Sequence, residues 1–237
     1  MTPSRPPIGQ LAPLAPLALL ALLSGLCSAA QAADAAWVSY RDAYRAMVVF
    51  DKYGKPKNLI QHHLQVMPRE KGASLDGVQL SLQGKATSLN LPLDAAGLAT
   101  FPLLKAAYDD NASLVLNRPA AQFAFRRRVS IAVRADGVYD AAELKAACEQ
   151  VAQFERQVEP GAGTRTCVGV RFVFARQGEP GVRLRKADGA TAALPAIDGA
   201  AFADDPNAAF KVVNYRFGDT GQVLTTGVPV VISALMQ

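Results

Sequence analysis

Histidine and tryptophan are almost missing: the 237 residues hold two His and one Trp. His62 and His63 are neighbours, and in a strand they point to opposite faces, so they do not chelate one metal together. No H-E-x-x-H, G-x-S-x-G, P-loop or G-x-G-x-x-G pattern occurs, which removes the zincin, nucleophile-elbow and nucleotide-loop chemistries. Neither charge sign dominates. The 25 basic and 20 acidic side chains leave a formal net charge of +5, too small an excess to imply a nucleic-acid partner. Eighteen Gly and 15 Pro are ordinary fractions and exclude a collagen-like or wholly disordered chain.

Long apolar runs are absent beyond residue 32. The Val228–Met236 run is short and contains Pro229, so no later segment is expected to span a bilayer as a helix. Residues 1–32 differ. Arg5 is their only charge, Leu11 to Leu26 is a Leu/Ala run broken by Pro13 and Pro16, and Ala30-Gln31-Ala32 fits the A-x-A cleavage pattern. That combination predicts a cleavable signal peptide rather than an anchor helix, and hence export to the periplasm. Cleavage would leave 205 residues, with 24 basic against 20 acidic side chains.

Two cysteines remain after residue 32, Cys148 and Cys167. An even number in an exported chain predicts a disulfide. Asp140-Ala141-Ala142-Glu143 reads as a capping box opening a helix to about Arg156, and Leu144, Ala147, Cys148, Val151 and Phe154 share one of its faces. Cys167 opens a buried strand. The bridge would pin that helix to that strand. The wide spacing is not the C-x-x-C of redox pairs.

The remaining pattern is β-rich. Ser39 and Asp42 predict the start of a first helix ended by Gly54 and Pro56. Strands are expected near Leu59–Met67, Val78–Gln83, Leu89–Leu93, Leu114–Leu116, Phe123–Arg134, Cys167–Arg176, Val182–Lys186, Phe210–Phe217, Gln222–Thr226 and Val228–Leu235, with a helical turn near Pro102–Tyr108. The expected fold is α+β, with antiparallel sandwich-like sheets, an N-terminal helix and one central helix. Two modules are expected, residues 33–134 and 135–237, unless they form one continuous domain. Val78-Gln-Leu, Leu91-Pro-Leu-Asp94 and Gln122-Phe are faintly echoed by Val182-Arg-Leu, Leu194-Pro-Ala-Ile-Asp198 and Gln222-Val.

Arginine is the informative polar residue. Along Phe123–Arg134 one parity holds Arg126, Arg128 and Arg134, while Arg127 falls among Phe125, Val129 and Ile131. Arg183 and Arg185 form a second alternating pair. These five are candidate anion-binding residues, because forked guanidinium groups grip planar anions. The alternative is a solvated strand face with paired charges. Ser81 and Ser130 lie in strands with no histidine at an informative spacing. Asp109-Asp110 and Asp204-Asp205 read as turn residues, and a carboxylate pair assembled from such loops is the route left for hydrolysis. His62 is expected in the core, hydrogen-bonded, and His63 at the surface.

The stretch Trp37-Val-Ser-Tyr-Arg-Asp-Ala-Tyr-Arg-Ala-Met, the Gly54-Lys-Pro-Lys-Asn segment, and Leu91-Pro-Leu-Asp94 with Asn117-Arg118 resemble exported proteins of Gram-negative bacteria grouped as a domain of unknown function. The resemblance covers most of the chain after residue 32. It implies export and carries no catalytic residues. The expected function is a non-enzymatic binding or interaction module of the cell envelope, without a cofactor or metal. Its partner would be an envelope protein, an anionic glycolipid or a cell-wall ligand. The alternative is a carboxylate-based hydrolase acting on an envelope polymer.

Overall fold

Strand β1 (Ala36–Ser39) runs without a loop into helix α1 (Tyr40–Asp51), and β8 (Val138–Asp140) runs in the same way into α3 (Ala141–Val158). Between them lie β2 (Ile60–Pro68), β3 (Leu80–Gln83), β4 (Ser88–Leu91), β5 (Leu98–Ala99), α2 (Lys105–Asp109), β6 (Ser113–Leu116) and β7 (Phe123–Ile131). After α3 come β9 (Cys167–Phe174), β10 (Gly181–Lys186), β11 (Thr191–Ala193), β12 (Ala196–Gly199), β13 (Phe210–Arg216), β14 (Gly221–Thr226) and β15 (Val231–Met236). This computed structural model describes residues 36–237 except 160, 162, 178, 179, 207, 208 and 219. The expected leader lies outside the described residues.

Among the described residues every strand pair is antiparallel. Two four-stranded sheets run β1-β6-β3-β4 and β8-β14-β10-β11, and a seven-stranded sheet runs β12-β13-β9-β15-β7-β2-β5. The fold is therefore α+β and β-rich, with an N-terminal and a central helix.

The two halves repeat one topology. Matching β1–β7 to β8, β9, β10, β11, β13, β14 and β15 turns β1-β6-β3-β4 into β8-β14-β10-β11, and β5-β2-β7 into β13-β9-β15. Helices α1 and α3 follow equivalent strands. The exceptions are α2, which has no counterpart among the described residues between β13 and β14, and β12 with the segment leading to β13, which stand where the first half has only the turn Asp94–Gly97. The halves share the central sheet through one strand pair, β7 with β15, at Ile232 opposite Ile131.

Local chemistry explains most elements. Asp140 accepts a hydrogen bond from Ala142 N at 2.9 Å and caps α3. Glu143 turns instead to Arg134 at 3.5 Å. Ser39 precedes α1, but its side chain makes no capping bond, and Asp42 pairs with Arg45 at 3.0 Å. Strand β7 stops at Ile131, three residues short of the expected Arg134, because its partner β2 begins at Ile60, opposite Ile131.

The apolar face of α3 (Leu144, Ala147, Cys148, Val151, Phe154) packs with Ile60, Ile131, Phe172 and Ile232 of the central sheet. Burying side chains such as Phe154 and Phe172 stabilises the fold, each by about 3–5 kcal/mol as judged by Phe→Ala costs in cores. A Cys148–Cys167 disulfide ties α3 to β9, with Cα atoms 6.0 Å apart. A second core gathers α1, the sheet with β3, and Leu64 and Val66 of β2.

The opposite face of the central sheet carries a third, smaller cluster: Ala96, Leu98, Val173, Ala201, Phe202, Phe210, Val212 and Val231. Leu98 belongs to the last strand of the sheet and Val212 to the second. Strands from opposite ends of the order therefore meet over one face, and the sheet curls around it as twisted antiparallel sheets do.

Candidate functional site

Directly opposed residues in an antiparallel sheet share a face. On the curled face the register therefore aligns His63, Gln65, Arg126, Arg128 and Ser130, continuing through Ser233 to Arg171 and Asn214. A strap, residues 200–206, crosses this face and is tied to those side chains. Arg171 Nη1 donates to the Ala200 carbonyl at 3.0 Å, and Ser233 Oγ to the Ala201 carbonyl at 2.7 Å. Phe202 lies under the Arg128 guanidinium, 4.6 Å from its ring centre.

Asp204 and Asp205 complete the attachment. Arg128 donates Nη1 to Asp204 and Nη2 to Asp205, both at 2.7 Å, and Nε to Gln65 Oε1 at 2.6 Å. Arg126 also pairs with Asp204. Gln65 Nε2 donates to the Ala96 carbonyl at 3.1 Å and to Asp205 at 3.3 Å. The side chains of Arg128 and Asp205 are only 13 % and 8 % exposed, so this pair is largely desolvated, while Arg126 and Asp204 at its edge stay half exposed. Burial pushes Asp204 up, but Arg128 and Arg126 outweigh it and hold its carboxyl below the usual range. At Asp205 burial wins over Arg128 and Gln65, and the carboxyl is raised.

Beside the strap opens a groove of about 530 Å³. Its walls are residues 65–68 at the end of β2, residues 73–78 of the β2–β3 loop, residues 93–96, Ala175 and Arg176 after β9, and Asp205, Pro206, Ala209 and Phe210. The segment after β9 is the topological counterpart of the β2–β3 loop, so both repeats contribute equivalent walls. Gly97, at φ +73°, closes the Asp94–Gly97 turn against β2; a Cβ there would run into the Val66 carbonyl. Asp94 Oδ1 accepts from Ala96 N and Leu98 N, both at 2.8 Å, which fixes the turn at the groove's rim.

The five arginines picked out in the sequence are not brought together. Arg126 and Arg128 hold the strap. Arg134 has left the strand face and bonds to Asp136 at 2.9 Å, at the rim of a smaller cavity of about 180 Å³ over Leu59, Ile131 and Leu144. Arg183 and Arg185 project from β10 of another sheet, where they bond to Thr191 Oγ1 and Gln222 Oε1. Among the described residues neither has a carboxylate partner. Arg127, on the apolar face, is absorbed by the Phe154 ring at 5.8 Å and by Glu159 at 3.6 Å.

The histidines differ from expectation. His62 does sit among aromatic rings, stacked on Phe50 with ring centres 4.9 Å apart, but its buried Nε2 has no hydrogen-bond partner among the described residues. Burial, then Arg127 and His63, lower its pKa to about 3. His63 is half-buried rather than superficial, because the curled face encloses it, and its Nε2 lies 2.9 Å from Ser130 Oγ. Sequence spacing missed this pair; only the β2–β7 register brings the two together. Ser130 is 1 % exposed, out of reach of a substrate. The other acidic pair is also committed: Asp109 to Lys105, and Asp110 Oδ2 to Ala86 N at 2.9 Å. Among the described residues no group of three or more His, Cys, Asp or Glu side chains is placed to hold a metal ion, and no helix is long and apolar enough to cross a membrane.

No family model, curated protein or solved structure matches the chain.

Proposed function

We propose that the protein is an exported binding module of the Gram-negative cell envelope, cleaved after Ala32 and resident in the periplasm, whose ligand sits in the groove between the two repeats. The groove carries this reading. Its volume of about 530 Å³ falls among ligand pockets of roughly 300–1,000 Å³, and it combines apolar walls with polar groups held by the strap network. The Cys148–Cys167 bridge suits an oxidising compartment.

Holding a ligand is favoured over hydrolysing one. Asp204 and Asp205 neutralise arginines, Asp109 and Asp110 stabilise a local fold, and His63 is bonded to a buried serine. The groove ligand is not gripped by the candidate arginines: Arg126, Arg128 and Arg134 are paired with carboxylates, and Arg183 and Arg185 stand on another sheet.

Amide NMR spectra of the oxidised protein, titrated with a soluble cell-wall digest, test the groove. Shifts should concentrate in residues 65–68, 73–78, 93–96, 175, 176, 205, 206, 209 and 210 and vanish in Ala95→Trp, which fills the groove from an exposed position. Shifts elsewhere, or shifts indifferent to Ala95→Trp, would overturn the reading, and release of cleaved product would replace it with the hydrolase. The intact mass should match residues 33–237 less two hydrogens; an uncleaved chain would remove the periplasmic assignment.

A further inference from the structure

We infer that the ligand of this groove is a peptidic zwitterion, a short peptide with free amino and carboxylate ends; the inference rests on the groove being the binding site. Four charged side chains line it: Asp76, Asp94, Asp205 and Arg176. Two are already occupied. Asp94 accepts the turn amides of Ala96 and Leu98, and Asp205 is bound by Arg128 and Gln65.

The side chains of the other two make no hydrogen bond, although Asp198 lies within electrostatic range of Arg176. Among the described residues neither the Asp76 carboxylate nor the Arg176 guanidinium has a hydrogen-bond or ion-pair partner; the backbone of Asp76 is held by Ser74 and Arg118. They stand on topologically equivalent segments, Asp76 after β2 and Arg176 after β9, so each repeat supplies one charge of opposite sign. The lining also carries apolar side chains, among them Leu75, Val78 and Phe210.

Charge complementarity selects the occupant. A neutral apolar molecule would cover both charges and return nothing for their lost hydration. A purely anionic or cationic molecule would satisfy one and strip or repel the other. A molecule with an ammonium for Asp76, a carboxylate for Arg176 and an apolar middle satisfies both.

Ala-Leu-Ala with free ends is the probe, compared with its N-acetylated, C-amidated and doubly capped forms by NMR titration. Blocking either end should weaken binding about fivefold, the scale of one partly exposed ion pair. Arg176→Ala should abolish the penalty for amidation alone, and Asp76→Asn the penalty for acetylation alone. Equal affinity for all four peptides at the groove would overturn the zwitterion and leave the groove standing. So would peptides that fail to bind while the cell-wall digest still moves the groove amides. If neither peptide nor digest moves those amides, both readings fall.

Discussion

Arg128 uses all three guanidinium nitrogens, on Gln65, Asp204 and Asp205. Truncating it strands a carboxylate whose side chain is 8 % exposed. Arg128→Ala should therefore cost about 3–5 kcal/mol in denaturant unfolding, whereas Arg183→Ala, on an exposed strand, should change stability by about 0.5 kcal/mol or less. The strand parity that sets Arg126 and Arg128 together was legible in the sequence. Their partners were not, because Asp205 lies 77 positions away and Asp-Asp-Pro reads correctly, but uninformatively, as a turn. His62 gives a pH dependence. Its folded pKa of about 3 lies below the unfolded value near 6.5. The unfolded chain therefore takes up a proton that the folded one refuses, and stability should fall as pH drops from about 6.5 towards 3, by a few kcal/mol in all. His62→Phe, which keeps the stack on Phe50, should flatten that limb; an unchanged acid limb would show that His62 does not cause it.

Among the elements, α3 was the most legible, since its cap, its period and its cysteine all act locally. Asp140→Ala should cost about 1 kcal/mol. Reduction of Cys148–Cys167, which closes a separation of 19 residues, should cost about 3 kcal/mol, seen as a lower melting temperature with dithiothreitol. Strands β5, β8 and β11 escaped the sequence because two or three residues are too few for alternation to register. The end of β7 escaped because a strand stops where its partner stops, and that is a property of pairing.

For the whole molecule, the repeated topology was only faintly written. The echoes at Val78, two residues ahead of β3, and Val182, inside β10, and at Leu91-Pro92 and Leu194-Pro195, leaving β4 and β11, fall near topologically matching strands. The third does not: Gln122 precedes β7, while Gln222 lies in β14. Topology survives where side-chain identity does not, because antiparallel pairing is made by the backbone. The groove was illegible, since its walls come from five separated segments.

The single strand pair between the halves sets an order of events. A chain synthesised N-terminus first delivers β7 and β2 long before β15, which alone among the described strands links β7 to β9. Until then β7 presents a free edge, the kind that recruits other chains. The central sheet therefore closes only once the last strand has been delivered, which leaves the unfinished chain in need of a guardian until then. Chains cut short at Val230 should aggregate rather than fold, seen as loss of the monomer peak in size-exclusion chromatography.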